Sequence, residues 1–168
     1  MTTDMVTSPL LSQAYVYLKD GDPKSAELLV QTFLDRSPES AQAHYMAGLC
    51  HQALGDDVRA RKHLEEAVSL APDDTGPVIQ LAMLVARENS ADAALAILEK
   101  PLAEKYGDPE LLQAKSSVQR HAGDHDGAVV TAQMAYAFAP DDAHVSHCLG
   151  LALMGSGRRS EARDALSR

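Results

Sequence analysis

The sequence predicts an all-α fold in which about ten helices form antiparallel pairs, and three repeated features lead to this prediction. Glycines recur with a step of 34 residues at Gly21, Gly55, Gly123 and Gly157, and Asn89 occupies the missing position. The residue five places after each of these is an alanine: Ala26, Ala60, Ala94, Ala128 and Ala162. Prolines repeat with the same step at Pro38 and Pro72, and again two steps later at Pro140. Repetition along the whole chain favours a stack of similar helix pairs.

Each period predicts two helices joined by a turn. The second copy shows the features on which this prediction depends: apolar residues at helical spacing, turn residues and a terminating proline. Apolar residues at helical spacing predict a first helix over Ala41–Leu54, and residues 55–57 supply the turn. A second helix then runs from about Val58 to Leu70 and ends before Pro72, because proline cannot continue a helix. The same order of signals places the repeats at residues 7–40, 41–74, 75–108, 109–142 and 143–168.

The boundaries between repeats carry residues that are typical of helix caps. Acidic pairs follow two of the prolines, at Asp73-Asp74 and Asp141-Asp142, and Glu39-Ser40 follows a third. Because these residues recur at the same place in the period, we interpret them as caps rather than as catalytic carboxylates. The third copy departs from the pattern, since Tyr106 stands where proline is expected.

Composition and charge exclude several classes of function. The chain has 168 residues, is 45% hydrophobic and carries a formal net charge of −9, which argues against binding to nucleic acid or to an anionic membrane surface. Cys50 and Cys148 form no CxxC pair, so no disulfide framework is predicted and a reducing compartment is expected. Neither a signal peptide nor an apolar run long enough to cross a bilayer is recognised. We therefore expect a cytoplasmic protein that does not insert into membranes.

The period and the order of residues within it resemble the tetratricopeptide-repeat (TPR) family. In the second copy the residues at the family's motif positions are His44, Ala47, Gly48, His51, Ala60, Leu64 and Pro72. The resemblance covers nearly the whole chain and implies a right-handed superhelical solenoid whose first helices line a concave groove. It also implies a scaffold that holds a partner protein or peptide in this groove, with no catalytic residue and no cofactor.

The resemblance indicates which side of each first helix faces the groove. In the second copy this side carries Tyr45, Leu49 and Gln52, at steps of four and three residues. With the equivalent positions of the other copies and one adjacent histidine, the predicted groove residues are Leu11, Tyr15, Leu18, Tyr45, Leu49, Gln52, Ile79, Met83, Gln113, Ser117, Arg120, His121, His144, His147 and Leu151. The first part of this set is apolar, which predicts a partner with an apolar segment whose polar end meets the His and Arg residues. The alternative, that single apolar residues pack between neighbouring first helices, stays open.

Two narrower binding modes are not predicted. The places where some TPR proteins clamp the carboxylate of chaperone tails hold Leu11, Tyr15, Met46, Gly76 and Gln80, which cannot form that clamp. His144 and His147 share a helical face, but no further ligand stands at a fixed spacing, so no metal site is predicted. His44, His51 and the two cysteines are expected to be packing residues.

Three roles for the chain remain open. No nucleophile elbow and no glycine-rich phosphate loop is present, so the chain itself is not expected to be an enzyme. The fifth copy stops inside its second helix, whereas solenoids end in a polar capping helix. We therefore expect either the N-terminal part of a longer protein or self-association through the uncapped C-terminal helix. The alternatives to a simple scaffold are the substrate-recruiting domain of a modifying enzyme, such as a bacterial protein glycosyltransferase, and a free-standing chaperone of an exported protein.

Overall fold

A computed structural model describes residues 8–88 and 90–167, and these residues form ten α-helices and no β-strand. The helices are α1 (Pro9–Lys19), α2 (Pro23–Leu34), α3 (Ala41–Ala53), α4 (Asp57–Leu70), α5 (Thr75–Arg87), α6 (Ala91–Glu104), α7 (Pro109–His121), α8 (His125–Phe138), α9 (Ala143–Gly155) and α10 (Arg159–Leu166). The predicted all-α fold class is confirmed. In the second copy Asp57 is the first residue of α4 rather than part of the turn.

The chain divides into two compact units, residues 1–80 and 81–168. The first unit contains α1 to α4 and the beginning of α5, and the second contains the rest of α5 and α6 to α10. That the whole chain forms one array with the five repeat boundaries given above stays a prediction.

Glycine is required in the turns between paired helices because the backbone there is left-handed. Gly21, Gly55, Gly123 and Gly157 have φ angles of 77°, 78°, 82° and 80°, a region that other residues adopt at a cost. An added Cβ would meet nothing within 4 Å at any of the four, so the constraint is conformational and not steric. The equivalent Asn89 lies outside the described residues.

The residue after each of three turn glycines caps the helix that follows. Asp22, Asp56 and Asp124 accept hydrogen bonds from backbone N–H groups three residues later, at 2.9–3.1 Å. At the boundaries between pairs, Asp74 accepts from the N–H of Gly76 at 3.1 Å, and Asp142 accepts from that of His144 at 2.7 Å. The second residue of each acidic pair is thus a cap, as predicted.

Small residues allow the two helices of a pair to approach closely. The repeated alanines of both units are buried. In the first unit, a Cβ added to Gly48 of α3 would lie 2.8 Å from Leu64 of α4. In the second unit, a Cβ added to Gly150 of α9 would lie 2.5 Å from Leu166 of α10. These contacts explain why small residues occupy this position, which is glycine in the second and fifth copies.

The core of the first unit lies among α1, α2 and α3. Its buried apolar side chains are Leu11, Ala14, Ala26, Val30, Leu34, Ala43, Met46, Ala47 and Cys50. In the second unit the main cluster joins α8, α9 and α10 and consists of Ala128, Val129, Ala132, Leu149, Ala152, Leu153, Ala162 and Ala165. Cys50 is fully buried, as predicted, whereas Cys148 is half-buried.

Candidate functional site

In the first unit, five predicted groove residues lie on α1 and α3, and all but Gln52 are aromatic or apolar. We call this set the α1–α3 surface: Tyr15, Leu18, Tyr45, Leu49 and Gln52. The two helices contact each other. Tyr15 is 39% exposed, and its ring lies 5.4 Å from the ammonium group of Lys19. Leu18 and Leu49 are half-buried against the core, and Tyr45 is half-buried beside Gly76 of α5. Tyr15 is exposed, whereas Leu18 and Leu49 pack against the core; that these residues line a binding groove stays a prediction.

Leu11 does not belong to this surface, and its assignment to the groove is wrong. Its side chain is only 2% exposed and lies in the core cluster of the first unit. A residue buried to this extent contributes to packing and offers no area to a partner. Ile79 of α5, also assigned to the groove, is half-buried.

In the second unit the predicted groove residues of α7 and α9 are mostly polar. Gln113, Ser117 and Arg120 of α7 are half-buried, and His121 at its end is exposed. On α9, His144 and His147 are exposed and Leu151 is half-buried. Met83, on the part of α5 that belongs to this unit, is half-buried.

The hydrogen bond of His121 defines its tautomer. Its Nδ1 lies 2.7 Å from the carbonyl oxygen of Ser117, and because a carbonyl only accepts, this nitrogen carries the proton. The Nε2 of the neutral ring is therefore an acceptor. Burial raises the pKa of the Cys148 thiol on α9, and this effect exceeds the opposing contributions of a hydrogen bond with Ser116 and of the charge of Arg120.

Three histidines are packed together between α3 and α4. The Nδ1 atoms of His44 and His63 lie 3.0 Å apart, and the ring of His63 stacks on that of His51 with centroids 5.3 Å apart. His44 Nε2 lies 2.8 Å from the carbonyl of Pro38. Since the carbonyl only accepts, Nε2 of His44 carries a proton, and in the neutral ring Nδ1 accepts a hydrogen bond from His63 Nδ1–H.

This histidine cluster confirms one prediction and adds a residue that the sequence did not reveal. His44 and His51 serve as packing residues, as expected, whereas His63 had not been singled out. Burial, followed by the neighbouring His44 and His51, lowers the pKa of His63 to about 4. Burial also raises the pKa of the nearby Cys50 thiol to about 12, with a further contribution from the charge of Glu27. Both groups are held in their neutral forms at physiological pH.

The described part of the chain contains neither a grouping of metal-ligand side chains nor a helix that could span a membrane. Among these residues, no three His, Cys, Asp or Glu side chains are grouped so that they could hold a metal ion. None of the helices within residues 8–88 and 90–167 is long and apolar enough to cross a bilayer.

Comparison with protein families and curated proteins agrees with the repeat pattern. The family model for the tetratricopeptide repeat matches residues 11–75. Protein HemY from Escherichia coli (strain K12) is 30% identical over 134 residues, which are 79% of this chain and 34% of the relative. The chain therefore spans about a third of the length of the curated relative it matches.

Solved structures show the same fold. TTC0263, a thermophilic TPR protein from Thermus thermophilus, superposes with a TM-score of 0.80 and 19% identity, covering 93% of this chain and 86% of that one. YrrB, described as a TPR protein with an unusual peptide-binding site, superposes with a TM-score of 0.62 and 17% identity, covering 95% and 82%. At these identities the likeness shows the fold, which is that of a TPR solenoid.

Proposed function

Because the chain belongs to the tetratricopeptide-repeat family, we propose that it is a scaffold that holds a protein or peptide partner on its first helices. A role in protein interaction is what the fold supports most directly, since stacked helix pairs present extended surfaces whose residues can vary. We assign no reaction and no cofactor to this chain. A cytoplasmic location is part of the same proposal.

The observation that supports this function is the apolar character of the α1–α3 surface. Tyr15 is exposed on α1, and the half-buried Tyr45 and Leu49 lie on the neighbouring α3. Tyrosine provides a large contact area at a small entropic cost, and it is enriched among residues that dominate binding energy. We therefore propose that this surface takes a segment with apolar side chains, in a helical or extended conformation.

The polar residues of α7 and α9 supply a second set of contacts within the second unit. Arg120 can donate charge-assisted hydrogen bonds, the exposed His144 and His147 can donate or accept, and the neutral ring of His121 can accept through Nε2. A partner region with polar or acidic groups fits these residues. This would favour recognition of a defined sequence over general adhesion to apolar chains.

The proposal is tested by selecting displayed random peptides against the 168-residue chain and measuring their affinity for two variants. Tyr15→Ser removes an exposed ring from the α1–α3 surface. Leu28→Ser is the matched control, because Leu28 is an apolar residue of the same unit that is 69% exposed on the second helix α2. We expect apolar peptides whose dissociation constant rises about tenfold or more with Tyr15→Ser, the loss typical of an interface anchor, and stays unchanged with Leu28→Ser.

An equal effect of both substitutions, or no effect of Tyr15→Ser on any selected peptide, would reject the α1–α3 surface as the binding site. The two narrower roles then need separate experiments. A recruiting domain would bind the substrate of an enzyme encoded in the same polypeptide. A chaperone would instead keep one exported protein from aggregating.

A further inference from the structure

Two aromatic residues lie together on the surface of the second unit, one in the loop between α6 and α7 and one at the end of α8. The rings of Tyr106 and Phe138 contact each other with centroids 5.8 Å apart and planes at 90°. Tyr106 is nevertheless 76% exposed, and Phe138 is 50% exposed. We call these two residues the aromatic pair. It lies outside the α1–α3 surface, so a test of one does not depend on the other.

A departure from the repeat holds the aromatic pair in place. Tyr106 stands where three other boundaries between repeats have proline, and it is followed by Gly107 with a φ angle of 84°. A Cβ added to Gly107 would lie 2.6–2.9 Å from three atoms of the Phe138 ring. The ring therefore lies directly on the backbone of this glycine, which only a residue without a side chain allows.

The aromatic pair is exposed although helices precede and follow both of its residues. Tyr106 lies between α6 and α7, and α9 and α10 follow Phe138. Leu70 holds the position equivalent to Phe138 in the second copy, and it is 37% exposed although α5 follows it. Side chains at this position thus stay accessible when the next helix is present. Clustered large apolar groups that remain accessible mark sites of interaction.

The electrostatic surroundings of the aromatic pair favour a cation. α6 ends at Glu104 and α8 ends at Phe138, so the negative ends of two helix dipoles lie beside the rings. Neither helix has a basic residue in its last turn. The faces of aromatic rings are negative as well. A cation at this place therefore gains from the rings and from the helix ends together.

Carboxylates add to this negative potential. Glu104 and Asp141 are exposed and lie within three residues of the aromatic pair. Of the lysines nearby, Lys100 pairs with Glu104 at 3.7 Å, and Lys105 has an interaction partner as well. The ion pair of Glu104 reduces the negative potential without removing it, because the helix ends and Asp141 contribute separately. The net charge of the chain, −9, acts in the same direction.

We propose that the aromatic pair binds an arginine of another polypeptide, with the guanidinium group against the rings and an apolar neighbour of that arginine on the exposed side of Phe138. Arginine fits better than lysine because its planar group stacks on a ring and still donates hydrogen bonds from its edge. The last carbonyls of α8 can accept them. A second copy related by a two-fold axis would bring Glu104 and Asp141 of both copies together, so the charges favour a basic partner over self-association.

Two capped tripeptides test this proposal: Leu-Arg-Leu, and the same peptide with citrulline, which has the shape of arginine without its charge. NMR titration of the 168-residue chain at low ionic strength, where exposed charges are least screened, measures both dissociation constants. We expect the Arg peptide to shift the ring signals of Tyr106 and Phe138 and to bind about fivefold more tightly, the combined effect of an exposed cation–π contact and a helix C-terminus. Tyr106→Leu should remove this preference while keeping an apolar side chain, and Tyr106→Phe should retain it.

Val58→Ser is the control, since Val58 is an apolar residue of the first unit that is 83% exposed, and its substitution should leave both affinities unchanged. Circular dichroism verifies that each variant is folded. Equal binding of the two peptides, binding of neither, or a preference for arginine that survives Tyr106→Leu overturns the proposal. So does a wild-type dimer in sedimentation velocity that Tyr106→Leu converts to monomer, because that result assigns the aromatic pair to a second copy.

Discussion

The histidine cluster between α3 and α4 makes the stability of the protein dependent on pH in a defined window. His63 is surrounded by His44 and His51 of α3 and by Lys62 and Glu66 of its own helix, and its pKa is lowered to about 4. The folded state thus disfavours the protonated ring, whereas the unfolded chain binds the proton with a pKa of about 6.5. The stabilisation is present above pH 6.5 and is lost progressively as the pH falls towards 4.

The size of the effect follows from the two pKa values. Between pH 7.5 and pH 5.0 the full difference corresponds to about 2 kcal/mol of unfolding free energy. Because the side chain of His63 remains partly accessible to water, solvent screens part of the penalty, and we expect about 1 kcal/mol. Other groups also titrate in this range, so the contribution of His63 must be measured as a difference between proteins.

The substitution His63→Phe isolates this contribution. It keeps an aromatic ring against His51 but removes the titrating group and the hydrogen bond to His44. We expect the variant to be less stable at pH 7.5 and to lose about 1 kcal/mol less than the wild type between pH 7.5 and pH 5.0. Urea unfolding followed by circular dichroism at both pH values measures this. His147→Gln, which changes an exposed histidine, should keep the pH dependence of the wild type.

An identical pH dependence in His63→Phe and wild type would refute the reasoning. It would mean that the cluster takes up a proton without cost, for example by opening of the contact between His44 and His63. A weaker dependence in His147→Gln than in His63→Phe would refute it as well.

Three further predictions concern packing. Gly48→Ala should lower the free energy of unfolding by about 1–3 kcal/mol, because the new Cβ would lie 2.8 Å from the buried Leu64; unchanged thermal unfolding would contradict this. Ser116→Ala should cost about 1–2 kcal/mol, since its buried hydroxyl donates to the carbonyl of Ala128 at 2.8 Å, while Ser117→Ala should cost less than half of that. Cys50 should resist iodoacetamide in the folded protein, because burial raises its thiol pKa to about 12; rapid alkylation under native conditions, detected by mass spectrometry, would disprove it.

The helix pairs could be predicted from the sequence because each signal acts locally. A left-handed turn selects glycine, an N-terminal N–H group selects aspartate, and a close helix contact selects alanine or glycine. These requirements do not depend on the residues around the pair. Gly55, Asp56 and Ala60 therefore predict the turn and the helix that follows it from the local sequence alone. In the second copy α3 ends one residue earlier than predicted, at Ala53, and α4 begins one residue earlier, at Asp57.

The candidate site was harder to predict because exposure depends on residues that are distant in sequence. Leu11 and Tyr45 hold the same repeat position, yet Leu11 is buried in the core of the first unit and Tyr45 is half-buried. The helical period alone assigns both to one side. His63 was missed for a similar reason, since its significance arises from His44, nineteen residues away, and a single histidine on a helix carries no such signal.

Positions where a residue breaks the repeat are the most informative about function, provided that the structure shows which neighbours are already engaged. The replacement of the capping aspartate by Arg158 is visible in the sequence. Taken alone, it could be balanced by Glu161 three residues later, which would leave a neutral helix start. In the structure both carboxylate oxygens of Glu161 accept hydrogen bonds from the guanidinium group of Arg158. The start of α10 is therefore not neutralised by a carboxylate beyond this pair, and only the hydrogen bonds of the structure could show it.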